Sequence, residues 1–496
     1  MQISRRPGTR HRRTRILSAL LFMVLLSVAT PLAVVSTLTE TRDAYADSNL
    51  AGVAYASSAL SSSVKYREWV PSTKSWSPEV SLQDTGSQVA DAKILFSPTS
   101  SLRAILSAST NGDLNLFTCS AACTNTGSWT HVGGASFANT GLLSLLSISP
   151  KRPFDMAFES DSGDLVLVYD KGLKLGNRLY YRVFSATSEA LSAESSHQYS
   201  GGLIPHPINY VRMASKPGSD EITMIFYDAL AFTSYAAIWN PSSEVWQDQI
   251  TVSSSIAATS LNGESVGVAY ETDSGASVVF SASGINSAAY ARWNGASWSG
   301  VSTTDPEPGS ILNAVVFVSM KADPSAASDR IMICQSGLSL TCAEIDSGII
   351  GSWGNPGPQP PTLLSRVFDF AWDPSGSTGI LVSETGLGSD YSSAVWAGGS
   401  WTAGQQISSS AGHLWLRAAT NPFDNDSINS IFVGSNILNE LDYLSYDGTS
   451  LTLQSGGLSL SHLGSALYTK VRASILARTC RLFHSPIRPL FLTTYQ

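Results

Sequence analysis

Tyr290-Ala-Arg-Trp293-Asn-Gly-Ala-Ser-Trp298 spells a strand, a tight turn and a returning strand within nine residues. Asn-Gly between aromatic-rich runs is the strongest short-range hairpin signal, because both residues tolerate the positive φ that such a turn needs. The spelling returns as Ala394-Val-Trp396-Ala-Gly-Gly-Ser-Trp401 and as Tyr443-Leu-Ser-Tyr446-Asp-Gly-Thr-Ser-Leu451. Longer-turn copies run from Tyr66 and Trp69 to Trp76, from Tyr235 and Trp239 to Trp246, and from Tyr180 and Phe184 to Leu191. A hairpin cannot bury its apolar face alone, so repeated hairpins must stack on one another.

Two strand types alternate along the chain. One reads Phe154-Asp-Met-Ala-Phe-Glu-Ser-Asp-Ser-Gly163, Val266-Gly-Val-Ala-Tyr-Glu-Thr-Asp-Ser-Gly275 and Phe368-Asp-Phe-Ala-Trp-Asp-Pro-Ser-Gly376, each ending in an acidic Ser-Gly turn. The other ends in proline, at Pro98, Pro217, Pro324 and Pro422, where the missing N–H stops the ladder. Each unit of about 50 residues offers four strands, as in 266–270, 276–281, 288–293 and 297–301, which is the pattern of a propeller blade. The predicted fold is therefore all-β, a β-propeller of about eight four-stranded blades over 47–463, with seven as the alternative count. The first unit begins at its second strand, because Gly52-Val-Ala-Tyr55 matches Ser277-Val-Val-Phe280. Its inner strand is expected from the far end of the chain, since a closed ring leaves no exposed edge.

The ends differ from the repeat. Residues 1–15 hold six arginines and no acid, and an apolar run from Ile16 to about Val35 follows. This reads as a signal peptide over 1–46, with Ala44-Tyr45-Ala46 as cleavage pattern, or as an uncleaved membrane anchor, since about 20 apolar residues suffice to span a bilayer. Residues 464–496 form a basic tail with five Lys or Arg and no acid, read as a closing strand or a disordered extension. Between them, 47–463 carries 18 Lys plus Arg against 36 Asp plus Glu, a balance of −18 that argues against nucleic acid as partner. Cys119 with Cys123, and Cys334 with Cys342, are expected as two local disulfides, in keeping with a secreted or surface location. Zinc is disfavoured, since paired-knuckle spacing is absent.

Candidate functional residues are few. Trp76, Trp246, Trp298 and Trp401 each follow a hairpin on an outer strand, where an indole either fills the wedge between blades or stacks on a sugar. Asp161, Asp273, Asp323 and Asp424 cluster with other oxygen donors in turns and are the candidate calcium ligands, although such residues also simply make turns. Gly263-Glu-Ser265-Val-Gly267 has the nucleophile-elbow spelling but leads into a strand. His131, His197, His206, His413 and His462 are isolated in sequence. Glu159, Glu271 and Asp373 recur at one position of the repeat, which points to a turn role rather than a glycosidase pair. No catalytic residue and no obligate cofactor is nominated, and calcium is the one ion considered.

In its hairpin, its acidic Ser-Gly turn and the Cys-x3-Cys before Trp129, the chain over 47–457 resembles the exported tandem-repeat β-propellers of prokaryotic cell envelopes. That resemblance implies an exported protein at the cell surface more than an activity; the chain is expected to be a monomer. The sialidase Ser-x-Asp-x-Gly-x-x-Trp box does not occur at the third hairpin. A more distant resemblance is to fucose-binding lectin propellers, whose Arg-Glu-Trp set recurs in every blade, whereas Arg67-Glu68-Trp69 occurs once. The expectation is a non-catalytic binding or structural module whose partner is a glycan or another envelope protein. A carbohydrate-binding lectin and a glycosidase or lyase-type enzyme are the alternatives.

Overall fold

The computed structural model describes residues 36–38, 52–56, 61–70 and most of 72–453; outside it lie 1–35, 39–51, 57–60, 71, 74, 121, 142–150, 173–176, 201–205, 258–259, 261–263, 308–313, 338, 358–367, 386–389, 410–412, 422–428, 437–440 and 454–496. The strands form eight antiparallel sheets in chain order, each a meander of four strands with an extra short pairing in the first three. Their inner strands are Ser36–Leu38, Val89–Phe96, Phe154–Phe158, Ile208–Ser215, Val266–Tyr270, Phe317–Ala322, Phe368–Trp372 and His413–Thr420. These eight line the axis of a propeller and define blades 1 to 8.

Burial follows from the pleat. In blade 3, Phe154, Met156 and Phe158 pack with Leu106, Leu114 and Leu116 of blade 2, whereas Ala157, Val166 and Val168 pack with Val211, Met213 and Phe226 of blade 4. Alternate residues thus serve opposite wedges, and a strand such as Leu165–Tyr169 is buried on both faces. The acidic turns owe their shape to a glycine in the left-handed region, as at Gly376, φ 73°. A Cβ there would lie 1.9 Å from Asp323 Oδ1 of the preceding blade, so the turn is also a close approach between blades.

Blade 1 closes in an unexpected way. The repeat pattern assigns its inner position to a segment beyond Leu463, which lies outside the described residues. The position is taken instead by Ser36–Leu38, paired antiparallel with Gly52–Ala56 in the register Ser36 to Tyr55 and Leu38 to Val53. On the outer side, Trp69 and Trp76 sit 5.4 and 5.7 Å from Tyr443 of blade 8, an aromatic wedge that joins first blade to last. Three strands alone cannot fill this slot, so a distant piece of chain is drawn in, and sequence proximity to Gly52 favours the N-terminal side.

Blade 5 departs from the expected 297–301 strand: Trp298 makes only an isolated bridge to Trp293, and the outer strand is Ser302–Thr304. Both disulfides form, Cys119 to Cys123 and Cys334 to Cys342. The second joins residues directly opposite each other across a ladder.

Candidate functional site

Charged residues interrupt the mostly apolar inner strands, and those charges are matched from blade to blade. Lys93 of blade 2 donates to Asp155 of blade 3 at 2.7 Å and to the Met156 carbonyl at 3.0 Å. The other Asp155 oxygen accepts the Met213 N–H of blade 4 at 2.8 Å. One half-turn later the arrangement recurs: Lys321 of blade 6 lies 3.7 Å from Asp369 of blade 7, which accepts the Ala418 N–H of blade 8 at 2.9 Å. Asp155 and Asp369 occupy the same place in Phe-Asp-x-Ala and are both fully buried. A carboxylate there satisfies the next blade's backbone and neutralises the previous blade's ammonium, which is what burial of an ion pair requires.

Nearer the strand starts, Arg152 of blade 3 forms a bidentate pair with Asp91 of blade 2, both contacts at 2.6 Å. Burial opposes the Arg152 charge, but Asp91, Glu264 and Asp155 hold its pKa above the ordinary value. Glu264, just before blade 5, accepts from Arg212 of blade 4 and, at 2.8 Å, from Arg417 of blade 8. Blades 5 and 8 are not neighbours, so this last pair crosses the axis. The belt lies nearer the starts of the inner strands, and its last pair reaches across the axis.

The other end is a cup. At the ends of the inner strands a cavity of about 120 Å³ is lined from seven blades, 2 to 8. Met156, Met213 and Met320 give it an adaptable apolar wall, and Lys93, Ser215, Thr272, Lys321 and Thr420 bring polar groups to it. Mixed lining of this kind orients a ligand while burying part of it. These residues were not singled out in sequence. The available signal was a charge in the middle of an apolar strand, but which charges meet depends on contacts 50 to 150 residues apart.

The four indoles sit in wedges. Trp246 is buried against Trp239, ring centroids 5.4 Å apart, and half-buried Trp76 packs on Trp69. Trp298 keeps partial exposure, lies 5.5 Å from Trp293 and donates its N–H to the Asp248 carbonyl at 2.5 Å. Trp401 is also half-buried, 5.1 Å from Trp396. A shared latch accompanies them: Trp239, Trp293 and Trp396 donate to Glu159, Glu221 and Glu344 of the preceding blade at 2.6, 3.2 and 3.1 Å. Burial pushes Glu159 above the ordinary carboxylate range, against the hydrogen bonds from Ser162 and Trp239.

The structure keeps the repeated carboxylates apart. Glu271 pairs with Arg292 at 2.5 Å, and Asp373 accepts from Ser375 at 2.5 Å and from Asn429. Among the candidate calcium ligands, Asp323 is fully buried and paired with Arg330 at 2.5 Å. Asp161 is exposed in the first hairpin of blade 3, its N–H bonded to Asp220 at 2.8 Å, and Asp273 lies in the corresponding hairpin of blade 5. Asp424 is outside the described residues. No cluster of three His, Cys, Asp or Glu able to hold a metal occurs among the described residues. Ser265 is fully buried ahead of the strand Val266–Tyr270, without the exposed turn of a nucleophile elbow.

The most perturbed acid lies at the joint of blades 3 and 4. Asp170, nearly fully buried, is pushed up to about 7 by desolvation and the neighbouring charge of Asp228, against backbone hydrogen bonds from Ile208, Gly172 and Lys171. Asp228 is bonded to His206 Nδ1 at 2.6 Å and accepts the Leu230 and Ala231 N–H groups at 3.0 and 2.8 Å. Of the other histidines, His131 contacts Asn115 at 3.1 Å and His197 contacts Gln249 at 2.9 Å. These two lie on the outer strands of blades 2 and 3, each with its own partner.

No family model and no curated protein matches the chain. Solved structures similar to it include the BP39L lectin from Burkholderia pseudomallei, 13% identical with a TM-score of 0.47, over 73% of this chain and 98% of that one. The SapL1 lectin in complex with alpha methyl fucoside is 12% identical with a TM-score of 0.37, over 73% and 94%. The β-propeller domain of the Trilobed protease from Pyrococcus furiosus is 9% identical with a TM-score of 0.36, over 73% and 97%.

Proposed function

We propose that this propeller is an extracellular, non-catalytic binding module that takes a glycan end, or a similarly hydroxyl-rich moiety, in the cup at the ends of its inner strands. The observation that carries this reading is the cup itself, a cavity lined by residues of seven blades. The Ser and Thr hydroxyls suit hydroxyl-rich ligands, and the methionine wall suits the apolar face of a sugar ring. Two disulfides support an oxidising location. A second site at the outer hairpins is favoured by the partial exposure of Trp298 and Trp401.

The test is a glycan and polysaccharide array on the full chain, with and without calcium. Saturable binding is expected, abolished by Ala322→Trp, which fills the cup from a half-buried lining position while the thermal melt shows the ring intact. Loss through Trp298→Ala or Trp401→Ala instead would move the ligand to the outer hairpins. Polysaccharide turnover would overturn the non-catalytic reading, and a silent array with folded protein would overturn the glycan.

A further inference from the structure

We infer that the sugar taken by the cup is an acidic one, whose carboxylate is met by Lys93 and Lys321. The inference rests on the cup as the glycan site and names the class of its ligand. It starts from an imbalance of charge. Over 47–463 the chain carries 36 Asp plus Glu against 18 Lys plus Arg, yet the described residues that line the cup include two lysines and no Asp or Glu. The lysines come from blades 2 and 6, four apart in a ring of eight, so they stand on opposite walls.

Each lysine has a carboxylate partner, but the pair shows the cup its cationic half. The side chains of Asp155 and Asp369 have 0% exposure, whereas those of Lys93 and Lys321 keep 11 and 13%. The carboxylates are also engaged from behind. Asp155 accepts the Met156 and Met213 N–H groups at 3.0 and 2.8 Å, and Asp369 accepts those of Phe370 and Ala418 at 3.0 and 2.9 Å. These amides offset part of the negative charge and leave each ammonium incompletely neutralised. Of the three Lys93 donors, one goes to Asp155 and one to the Met156 carbonyl, at 2.7 and 3.0 Å, and the third remains for a ligand.

The hydroxyls in the cup have the opposite sense. Thr272 donates to the Asp323 carbonyl at 2.6 Å and Thr420 to the Trp372 carbonyl at 3.0 Å. A hydroxyl whose proton is spent in this way can only accept from a ligand. Ammonium donors for a carboxylate, beside hydroxyl oxygens that accept from ring O–H groups, are the complement of a uronic acid.

The experiment is calorimetric titration of the full chain with methyl glucuronoside, methyl glucoside and acetate, which separate the carboxylate from the sugar ring. Methyl glucuronoside is expected to bind about tenfold tighter than methyl glucoside, and tighter than acetate. Ala322→Asp, which adds an acid at a half-buried lining position without touching either ion pair, should erase that preference. Its neutral counterpart Ala322→Asn should keep it, with thermal melts showing both folded. Equal affinity for the two glycosides, both lost on Ala322→Trp, would overturn the acidic ligand and leave the cup as the glycan site. An unchanged preference in Ala322→Asp would overturn the role of the cup lysines. Acetate binding as tightly as the glucuronoside would overturn the sugar, and binding of neither glycoside by folded protein would overturn the inference, with neutral glycans on the array then keeping the reading beneath it.

Discussion

One slot in the repeat is built in two ways. At Asp155 and Asp369 a carboxylate caps the next blade's backbone and meets a lysine from the previous blade. The corresponding residue of blade 5 is Gly267, where a Cβ would stand 2.7 Å from Met320 Sδ and 2.9 Å from Val318 Cγ1. The next blade fills that slot with side chain instead of offering a backbone N–H. Arg212, which follows the role of Lys93, then finds Glu264 just upstream, and Glu264 serves Arg417 as well. The contrast teaches that the fold requires charge balance around the axis, whereas the residue supplying it can move.

The largest effect expected from breaking the contrast is at the charged slot. Asp155→Ala leaves Lys93 buried without its partner and the Met213 N–H unbonded, and should cost about 3–5 kcal/mol in denaturant unfolding. A loss below about 1 kcal/mol would show that the belt contributes nothing. Next is the joint of blades 3 and 4, where the acid is unpaired rather than matched. Because folding raises Asp170 from 3.8 to about 7, its contribution is full below about pH 4 and is lost as pH rises through 7. Asp170→Asn should therefore gain on the parent by up to about 1.4 kcal/mol per pH unit in that window. Parallel pH profiles would sink the assignment.

Smaller is the apolar slot: Gly267→Ala should destabilise by about 1–3 kcal/mol through overpacking against Met320, and Met320→Ala should relieve part of it. Equal costs in both backgrounds would separate the two residues. Smallest is the staple at Cys334 and Cys342, whose short loop is worth at most about 2.5 kcal/mol on Cys334→Ser with Cys342→Ser, read as a shift in melting temperature.

Much of the fold is legible in the chain. The strand read at 288–293 is Ala288–Trp293, and the one read at 266–270 is Val266–Tyr270, because hairpin chemistry and alternation are local. The Cys pairs are legible for the same reason. The closure at Ser36–Leu38 is not, since three residues carry no periodicity and their partner lies beyond a stretch of unrelated sequence. The axial belt is half-legible: Asp155 and Asp369 stand out inside apolar strands, but nothing local says that Glu264 meets Arg417, 153 residues away. The cup is illegible because it is made of unremarkable alanines, methionines and threonines at strand ends from seven blades.

The molecule is a ring that closes, with a belt of ion pairs across its axis. A double-mutant cycle between Glu264→Gln and Arg417→Met tests it most directly, since blades 5 and 8 touch only across a closed ring. The two substitutions should couple by about 1–3 kcal/mol in unfolding free energy. Additive costs within about 0.3 kcal/mol would contradict the cross-axis pair and the closure it requires.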